Sequence, residues 1–89
     1  MSTILWIRYR LRNRTRYRQL RDGHEMDVYI IDWLRPANEL ERFGVIRKRG
    51  SAGGIFDAVI GTYPTLRRAK VAATGASRPH HREGGQYDR

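Results

Sequence analysis

Residues 8–18 read Arg-Tyr-Arg-Leu-Arg-Asn-Arg-Thr-Arg-Tyr-Arg, with an arginine at every second position. A period of two is the side-chain period of a β-strand, whose successive residues point to opposite faces. Asn13 tolerates turn conformations, so the spacing predicts a hairpin with a three-residue connection at residues 12–14. In that register one face carries every arginine of the stretch, namely Arg8, Arg10, Arg12, Arg14, Arg16 and Arg18.

A third strand follows this hairpin. Asp22-Gly23 is a strong signal for a two-residue type I′ turn. That turn sets Arg18 beside Asp27 and Arg16 beside Tyr29 in the neighbouring strand. β-branched and aromatic residues place the three strands at 3–12, 15–21 and 26–34. Their alternation predicts a core side with Met26, Val28 and Ile30, and an arginine side with Tyr29, Ile31 and Trp33.

The second half of the chain predicts another hairpin and a helix. Pro36 interrupts the third strand, because proline cannot donate to a sheet ladder. Thr65 is a suitable N-cap and Gly75 a suitable C-cap for a helix. The predicted segments are a helical turn at 39–42, a strand at 43–48, a loop at 49–54, a strand at 55–60 and a helix at 66–74 with an apolar stripe of Leu66, Ala69 and Ala73. The fold class is therefore α+β, with about five antiparallel strands in two successive hairpin units and one C-terminal helix packed on one face.

The chain is long enough for one domain, which we predict at residues 1–75. Residues 76–89 are polar, with little to bury, and predict a disordered tail. Because no cysteine occurs, disulfides are excluded and a cytoplasmic location is expected. No run of residues approaches the roughly 20 apolar residues of a membrane helix, so we expect no membrane partner.

The charge indicates the class of partner. The formal net charge is +9, and of the 18 basic residues only Lys48 and Lys70 are lysines. Residues 1–21 contain seven arginines and no acidic residue. Arginine forms bidentate contacts with phosphate and stacks on bases. We therefore expect one positively charged face that binds a polyanion, most directly a nucleic acid.

The predicted binding residues are the arginine row and its aromatic neighbours. Guanidinium groups on one face repel each other unless an anion lies on them. The alternative is a solvated face neutralised by Glu25, Asp27 and Asp32, but these acids are outnumbered. Tyr29 and Trp33 would stack on bases or on guanidinium groups. Secondary phosphate contacts are predicted at Arg47, Lys48 and Arg49, beside a glycine-rich loop that is otherwise a mobile connection.

Metal binding and catalysis are not predicted. Metal sites need converging ligands, and His24, His80 and His81 have no cysteine or acidic cluster to complete a set. A small ribonuclease would have to rely on His24 and Glu25, adjacent residues whose side chains point apart. We therefore expect a non-catalytic protein without a cofactor.

Residues 43–74 suggest a family. They run from Phe-Gly-Val-Ile-Arg-Lys-Arg to Gly-Ile-Phe-Asp-Ala-Val-Ile-Gly-Thr-Tyr-Pro-Thr-Leu-Arg-Arg-Ala-Lys-Val-Ala-Ala. This segment resembles the strand–strand–helix unit of small phage-encoded proteins, in particular the arm-site DNA-binding module of phage integrases. The resemblance implies a phage origin and DNA contact through the sheet. The chain departs from that family in the Arg-rich hairpin that precedes the unit and in the lack of a following recombinase domain.

A phage origin allows a second function. Small phage proteins often bind and disable a host machine, as anti-CRISPR proteins and polymerase inhibitors do. In a bacterial host cell the arginines would then dock on an acidic host protein surface. DNA and RNA are also alternatives, since phosphate contacts carry no sequence information and guanidinium groups accept either. An exposed first strand could also pair edge to edge with a second copy, so a homodimer is left open as an alternative.

Overall fold

The computed structural model describes residues 3–49 and 57–79. Five antiparallel strands form one sheet in the order β1-β2-β3-β4-β5, and a C-terminal helix packs against it. The elements are β1 (Ile4–Leu11), β2 (Arg14–Arg21), β3 (His24–Asp32), a 3-10 turn (Glu39–Glu41), β4 (Phe43–Arg47), β5 (Ala58–Tyr63) and α1 (Leu66–Ala76). This arrangement confirms the predicted α+β fold. The predicted strand at 55–60 instead occupies Ala58–Tyr63, and residues 50–56 lie outside the described ranges.

The core lies between α1 and one face of the sheet, which we call the helix face. Val28, Ile30 and Val45 are almost fully buried there against Ala69 and Ala73 of the helix. Alanine at the helix contact positions lets the helix backbone approach the sheet closely. The predicted inward direction of Met26, Val28 and Ile30 is confirmed, as is the apolar stripe of the helix.

The opposite face of the sheet, which we call the open face, carries a second apolar cluster. Tyr29, Ile31 and Ile46 are buried on it, with Trp33 packed against them. Among the described residues no helix covers this face. Long side chains that lie flat on the sheet, such as Arg16 and Lys48, cover it instead. Nor is α1 long and apolar enough to span a membrane.

The turn between β2 and β3 has the predicted form, but the register changes within the strands. Asp22 and Gly23 have φ values of 53° and 84°, and Arg21 pairs with His24. A bulge then intervenes opposite Gln19, so that Arg18 pairs with Tyr29 rather than with Asp27. The predicted pairing is wrong beyond this point. The two-residue shift preserves which face each side chain occupies.

Contacts with the C-terminal segment accompany the bulge. Gln19 is 1% exposed, and its amide donates to Thr74 Oγ1 at 2.9 Å. The bulged residue Asp27 donates its backbone N–H to Arg78 O, and Met26 bridges to Pro79. The contacts with Arg78 and Pro79 lie beyond the predicted domain boundary at residue 75. The rest of the predicted tail, residues 80–89, lies outside the described ranges.

The helix begins as predicted and ends later. Thr65 Oγ1 accepts a hydrogen bond from Arg68 N at 3.2 Å, which confirms the N-cap. Gly75 is not the C-cap, since the helix continues through it to Ala76 and Ser77 takes the capping position. The carbonyls of the last turn have side-chain donors instead of a glycine motif: Arg21 donates to Thr74 O and Arg47 to Ala76 O.

Candidate nucleic-acid interface

The turn between β1 and β2 decides where the arginines point. Arg12 and Asn13 have positive φ values of 55° and 63°, as the two central residues of a type I′ turn require. Leu11 therefore pairs with Arg14 across a two-residue connection. The predicted three-residue connection is wrong, and the single row of six arginines is wrong with it.

A two-residue connection divides the arginines between the two faces. In this register Trp6 lies on the helix face and packs against the core cluster, so apolar surface of its indole is buried. The twist of a type I′ turn also matches the right-handed twist of the strands. Arg8 and Arg10 lie on the helix face opposite Tyr17 and Thr15, and Arg14, Arg16 and Arg18 lie on the open face, where Arg16 and Arg18 pair with Tyr9 and Ile7.

The open-face arginines cover the apolar cluster. The Cζ atom of Arg16 lies 5.7 Å from the centroid of the Tyr29 ring, and that of Arg18 lies 5.9 Å from the Tyr9 ring. Both side chains are half-buried. Their methylene stems and guanidinium planes take the place of a second covering layer. These arginines therefore have a role in the fold.

Tyr29, predicted as a base-stacking residue, is covered by the protein itself. It is 7% exposed, with Arg16 and Lys48 both over its ring. Its hydroxyl donates to Asp57 Oδ2 at 2.9 Å. Burial and the hydrogen bond to Asp57 raise the pKa of Tyr29 to about 12. In this conformation the ring is an anchor of the sheet and offers little surface to a base.

Trp33, the other predicted stacking residue, lies at the end of β3 on the open face. Its ring lies across Gly44, where an added Cβ would be 2.2 Å from Trp33 Cη2. Its carbonyl accepts a hydrogen bond from Arg14 Nη1 at 2.8 Å. Trp33 is half-buried, so part of the indole is accessible beside the Arg14 guanidinium.

The arginines of β1 and of the β1–β2 turn do not cover apolar surface in this way. Arg8, Arg10 and Arg12 are exposed. Among the described residues, ion pairs engage Arg18, Arg42, Arg47 and Lys48, and none engages these three. Within residues 3–49 and 57–79 they are therefore cations that no other side chain covers or neutralises.

Of the three acidic residues considered as neutralising the row, Asp27 and Asp32 pair with cations outside it, whereas Glu25 contacts Arg18 as well as Lys48. Asp32 is buried and accepts both Nε and Nη2 of Arg42 and the backbone N–H of Leu34. Burial by itself raises the pKa of Asp32, but the hydrogen bonds from Arg42 and Leu34 outweigh it, so the pKa is lowered. Asp27 pairs with Arg47. Glu25 contacts both Lys48 and Arg18, the latter at 3.7 Å.

The predicted secondary cations also differ in whether they are paired within the protein. Arg47 bridges Asp27 and the carbonyl of Ala76 and is mostly buried, so it holds the C-terminal end of the helix to the sheet. Lys48 pairs with Glu25 over the Tyr29 ring. Arg49 is exposed, and its backbone N–H donates to Asp57 Oδ1. The predicted glycine-rich part of this loop lies outside the described residues.

One cation beside the hairpin was not predicted. Lys70 lies on the side of α1 that faces β1 and β2, with its Nζ 5.5 Å from the Trp6 ring and 5.8 Å from the Tyr17 ring. It adds positive charge to the helix face next to Arg8, the cross-strand neighbour of Tyr17. The contact depends on the two-residue turn, which brings Trp6 to the helix face.

The structure describes some of the groups considered for metal binding and catalysis. His24 is exposed at the end of the β2–β3 turn, next to Glu25 in β3. Within residues 3–49 and 57–79, no three His, Cys, Asp or Glu side chains group so as to hold a metal ion. His80 and His81 are not among the described residues.

Comparison of the chain with models of protein families, with curated proteins and with solved structures finds no match. The resemblance of residues 43–74 to the arm-site module of phage integrases thus stays a hypothesis.

Proposed function

We propose that this chain is a non-catalytic nucleic-acid-binding protein whose β1–β2 hairpin contacts phosphate groups. The cations that carry the proposal are Arg8, Arg10 and Arg12, with Arg14, Arg16 and Arg18 on the second face and Lys70 beside the hairpin. Its class is the one predicted from the sequence, but the geometry of contact is different.

The exposure of Arg8, Arg10 and Arg12 without an ion pair is the observation that supports this proposal most directly. Alternate residues of a strand are about 7 Å apart. Two unit charges at that separation in water repel by about 0.6 kcal/mol. A sequence selected for stability alone would relieve this repulsion with an acid, and residues 3–21 contain none. An external polyanion explains why the charges are retained.

Phosphate is the anion that this arrangement suits best. Guanidinium forks bind phosphate oxygens bidentately, whichever base is attached. Neutralising about four phosphates of a duplex would give a slope near −3.6 in a plot of log K against log salt concentration. Steep salt dependence with little sequence dependence is therefore the expected behaviour.

A salt titration with a matched charge control tests the proposal. The variant Arg10→Ser/Arg12→Ser removes two exposed hairpin charges, and Arg68→Ser/Arg78→Ser removes two exposed charges elsewhere. Fluorescence anisotropy with labelled DNA and RNA measures the affinity of each at several salt concentrations. We expect the hairpin variant to lose at least tenfold in affinity and about 1.8 in slope on duplex DNA. The control should lose far less, and equal losses in the two variants would refute the proposal.

A host-protein inhibitor is the second candidate, and one observation favours it. Leu34 is held at a φ of 62° and is 49% exposed, beside an open hollow of about 500 Å³ that Pro36 and Pro64 also line. Backbone strain of this kind is found at functional sites, such as ligand clamps and switch regions. Capture from bacterial lysate that survives nuclease treatment and is lost in Leu34→Ser would favour this candidate over nucleic-acid binding.

A further inference from the structure

On the open face, the indole of Trp33 keeps part of its ring surface accessible. Trp33 directly follows β3, and its side chain is half-buried. The ring lies over Gly44 of β4, where an added Cβ would collide with it. Tyr9 and Tyr29 each lie under a cation, whereas among residues 3–49 and 57–79 no cation lies over the Trp33 ring. Trp33 therefore offers an aromatic surface on the face that α1 does not cover.

Arginines without an acidic partner lie at the same end of the sheet. Arg14 Nη1 donates to the Trp33 carbonyl at 2.8 Å, and the backbone N–H of Arg35 donates to that carbonyl at 2.6 Å. Arg12 belongs to the turn that leads into Arg14, so it also lies at this end. In the part of the chain that the structure describes, no ion pair engages Arg12, Arg14 or Arg35. An accessible aromatic ring and three cations therefore share one end of the sheet.

The acidic residues of this region leave that positive charge in place. Asp32, next to Trp33, is buried and paired with Arg42. Glu39 and Glu41 belong to the 3-10 turn, and none of the ion pairs between described residues joins them to an arginine. The unpaired guanidinium groups are therefore available to an external anion.

This combination of ring and charge fits single-stranded nucleic acid. Proteins that bind single strands combine cations for the backbone with aromatic rings on which bases stack, whatever the base. Inside a duplex each base is already stacked on its neighbours, whereas the bases of a single strand can turn outward onto an aromatic side chain. Phosphate contacts alone would accept either form of the ligand. The accessible indole is the feature that distinguishes the two forms.

Resting on the proposed function, we infer that the ligand is a single-stranded nucleic acid, one base of which stacks on the accessible side of the Trp33 indole. Arg12 and Arg35 contact phosphates next to that base, and Arg14 holds the Trp33 backbone from β2. Strands of deoxyribose and of ribose share this chemistry. The inference adds base stacking to the phosphate contacts of the hairpin.

The first experiment removes the bases and leaves the protein unchanged. An abasic DNA strand has the same phosphates as oligo(dT) of equal length but no base to stack, and oligo(rU) provides the same comparison for RNA. We expect oligo(dT), oligo(rU) or both to bind at least about fivefold more tightly than the abasic strand in fluorescence anisotropy. Equal affinity for all three strands would overturn the stacking inference while leaving phosphate binding intact. Absence of binding to any nucleic acid would overturn both proposals.

A second experiment identifies the ring on which the base stacks. The chain contains two tryptophans, Trp6 and Trp33, so Trp6→Phe makes Trp33 the only indole. We expect the oligomer that binds more tightly to quench the emission of Trp33 in this variant. In the matched variant Trp33→Phe the emission of Trp6, which packs against the core, should stay nearly unchanged. Comparable quenching of both indoles, or quenching of neither, would refute stacking on Trp33.

The variant Trp33→Leu separates stacking from charge. Leucine keeps apolar cover over the open-face cluster, and urea unfolding checks that the variant is folded. It should bind the tighter oligomer at least about fivefold less tightly, with an unchanged salt slope, and Trp33→Phe should recover most of the loss. Arg12→Ser should instead reduce the slope by about 0.7, because it removes one phosphate contact. If Trp33→Leu weakened binding of the abasic strand as much as binding of the oligomer, the inference would be refuted.

Discussion

The arginines of the hairpin should differ in what they contribute to stability. Arg16→Ala removes a cation–π contact with Tyr29, worth about 0.5–1 kcal/mol. It also uncovers apolar surface of the open-face cluster. About 40 Å² at about 25 cal/mol per Å² adds about 1 kcal/mol. We therefore expect the free energy of unfolding to fall by about 1.5–2 kcal/mol.

Arg8→Ala is the matched comparison. Arg8 is exposed and engages no acid among the described residues. Its removal relieves repulsion with Arg10, so the free energy of unfolding should stay within about 0.5 kcal/mol of wild type. At low salt the change should be toward higher stability, and added salt should abolish this gain because it screens the repulsion.

Urea denaturation followed by circular dichroism, at low and at high salt, measures both effects. Arg16→Met separates the cation–π contribution of Arg16 from its apolar contribution, since methionine keeps the apolar cover and lacks the charge. We expect it to recover about half of that loss. If Arg8→Ala cost as much as Arg16→Ala at both salt concentrations, the division into covering arginines and free arginines would be refuted.

Three further changes test other parts of the structure. Gly44→Ala places a Cβ against the Trp33 ring and should lower the free energy of unfolding, measured in urea, by about 1–3 kcal/mol. The same substitution should cost little in a Trp33→Ala background. Equal costs in the two backgrounds would contradict the position of the ring. Gly75 lies in the last turn of α1, and nothing lies within 4 Å of a Cβ added to it. Gly75→Ala should therefore raise the free energy of unfolding by about 0.5–1 kcal/mol. A lower melting temperature of this variant would show that glycine is needed there. Tyr29 has a pKa of about 12, raised from 10.0, so its contribution to stability is complete below pH 10 and lost as the pH rises toward 12. A difference absorbance titration against Tyr29→Phe measures that pKa, and Asp57→Asn should lower it; a titration near pH 10 in the parent protein would refute the buried hydrogen bond.

The turn at Arg12-Asn13 shows where sequence reasoning about the site stops. The sequence Arg-Asn-Arg is compatible with a two-residue or a three-residue connection, because Asn13 tolerates positive φ in either. The choice reverses the face of every β1 side chain. It is decided by the twist of the strands and by the burial of Trp6 against the helix-face core, which involves residues remote in the sequence.

The same limit applies to the predicted stacking residues. Their placement on the open face was correct, since the two-residue alternation of β3 fixes it. Their accessibility depends on which long side chains lie over them. Tyr29 is covered by Arg16 of β2 and by Lys48, the residue that follows β4. The alternation of side chains within one strand does not show which long side chains from elsewhere in the chain lie over them.

Interactions between residues close in the sequence by themselves determined the secondary-structure elements of this protein. The alternation of β3, the Asp22-Gly23 turn and the Thr65 cap depend on neighbouring residues, so they can be read from the chain. Tertiary packing decided the register of β1, the bulge at Gln19 and the division of the arginines between two faces. These features depend on how distant segments bury one another, and the positions of the hairpin arginines follow from them.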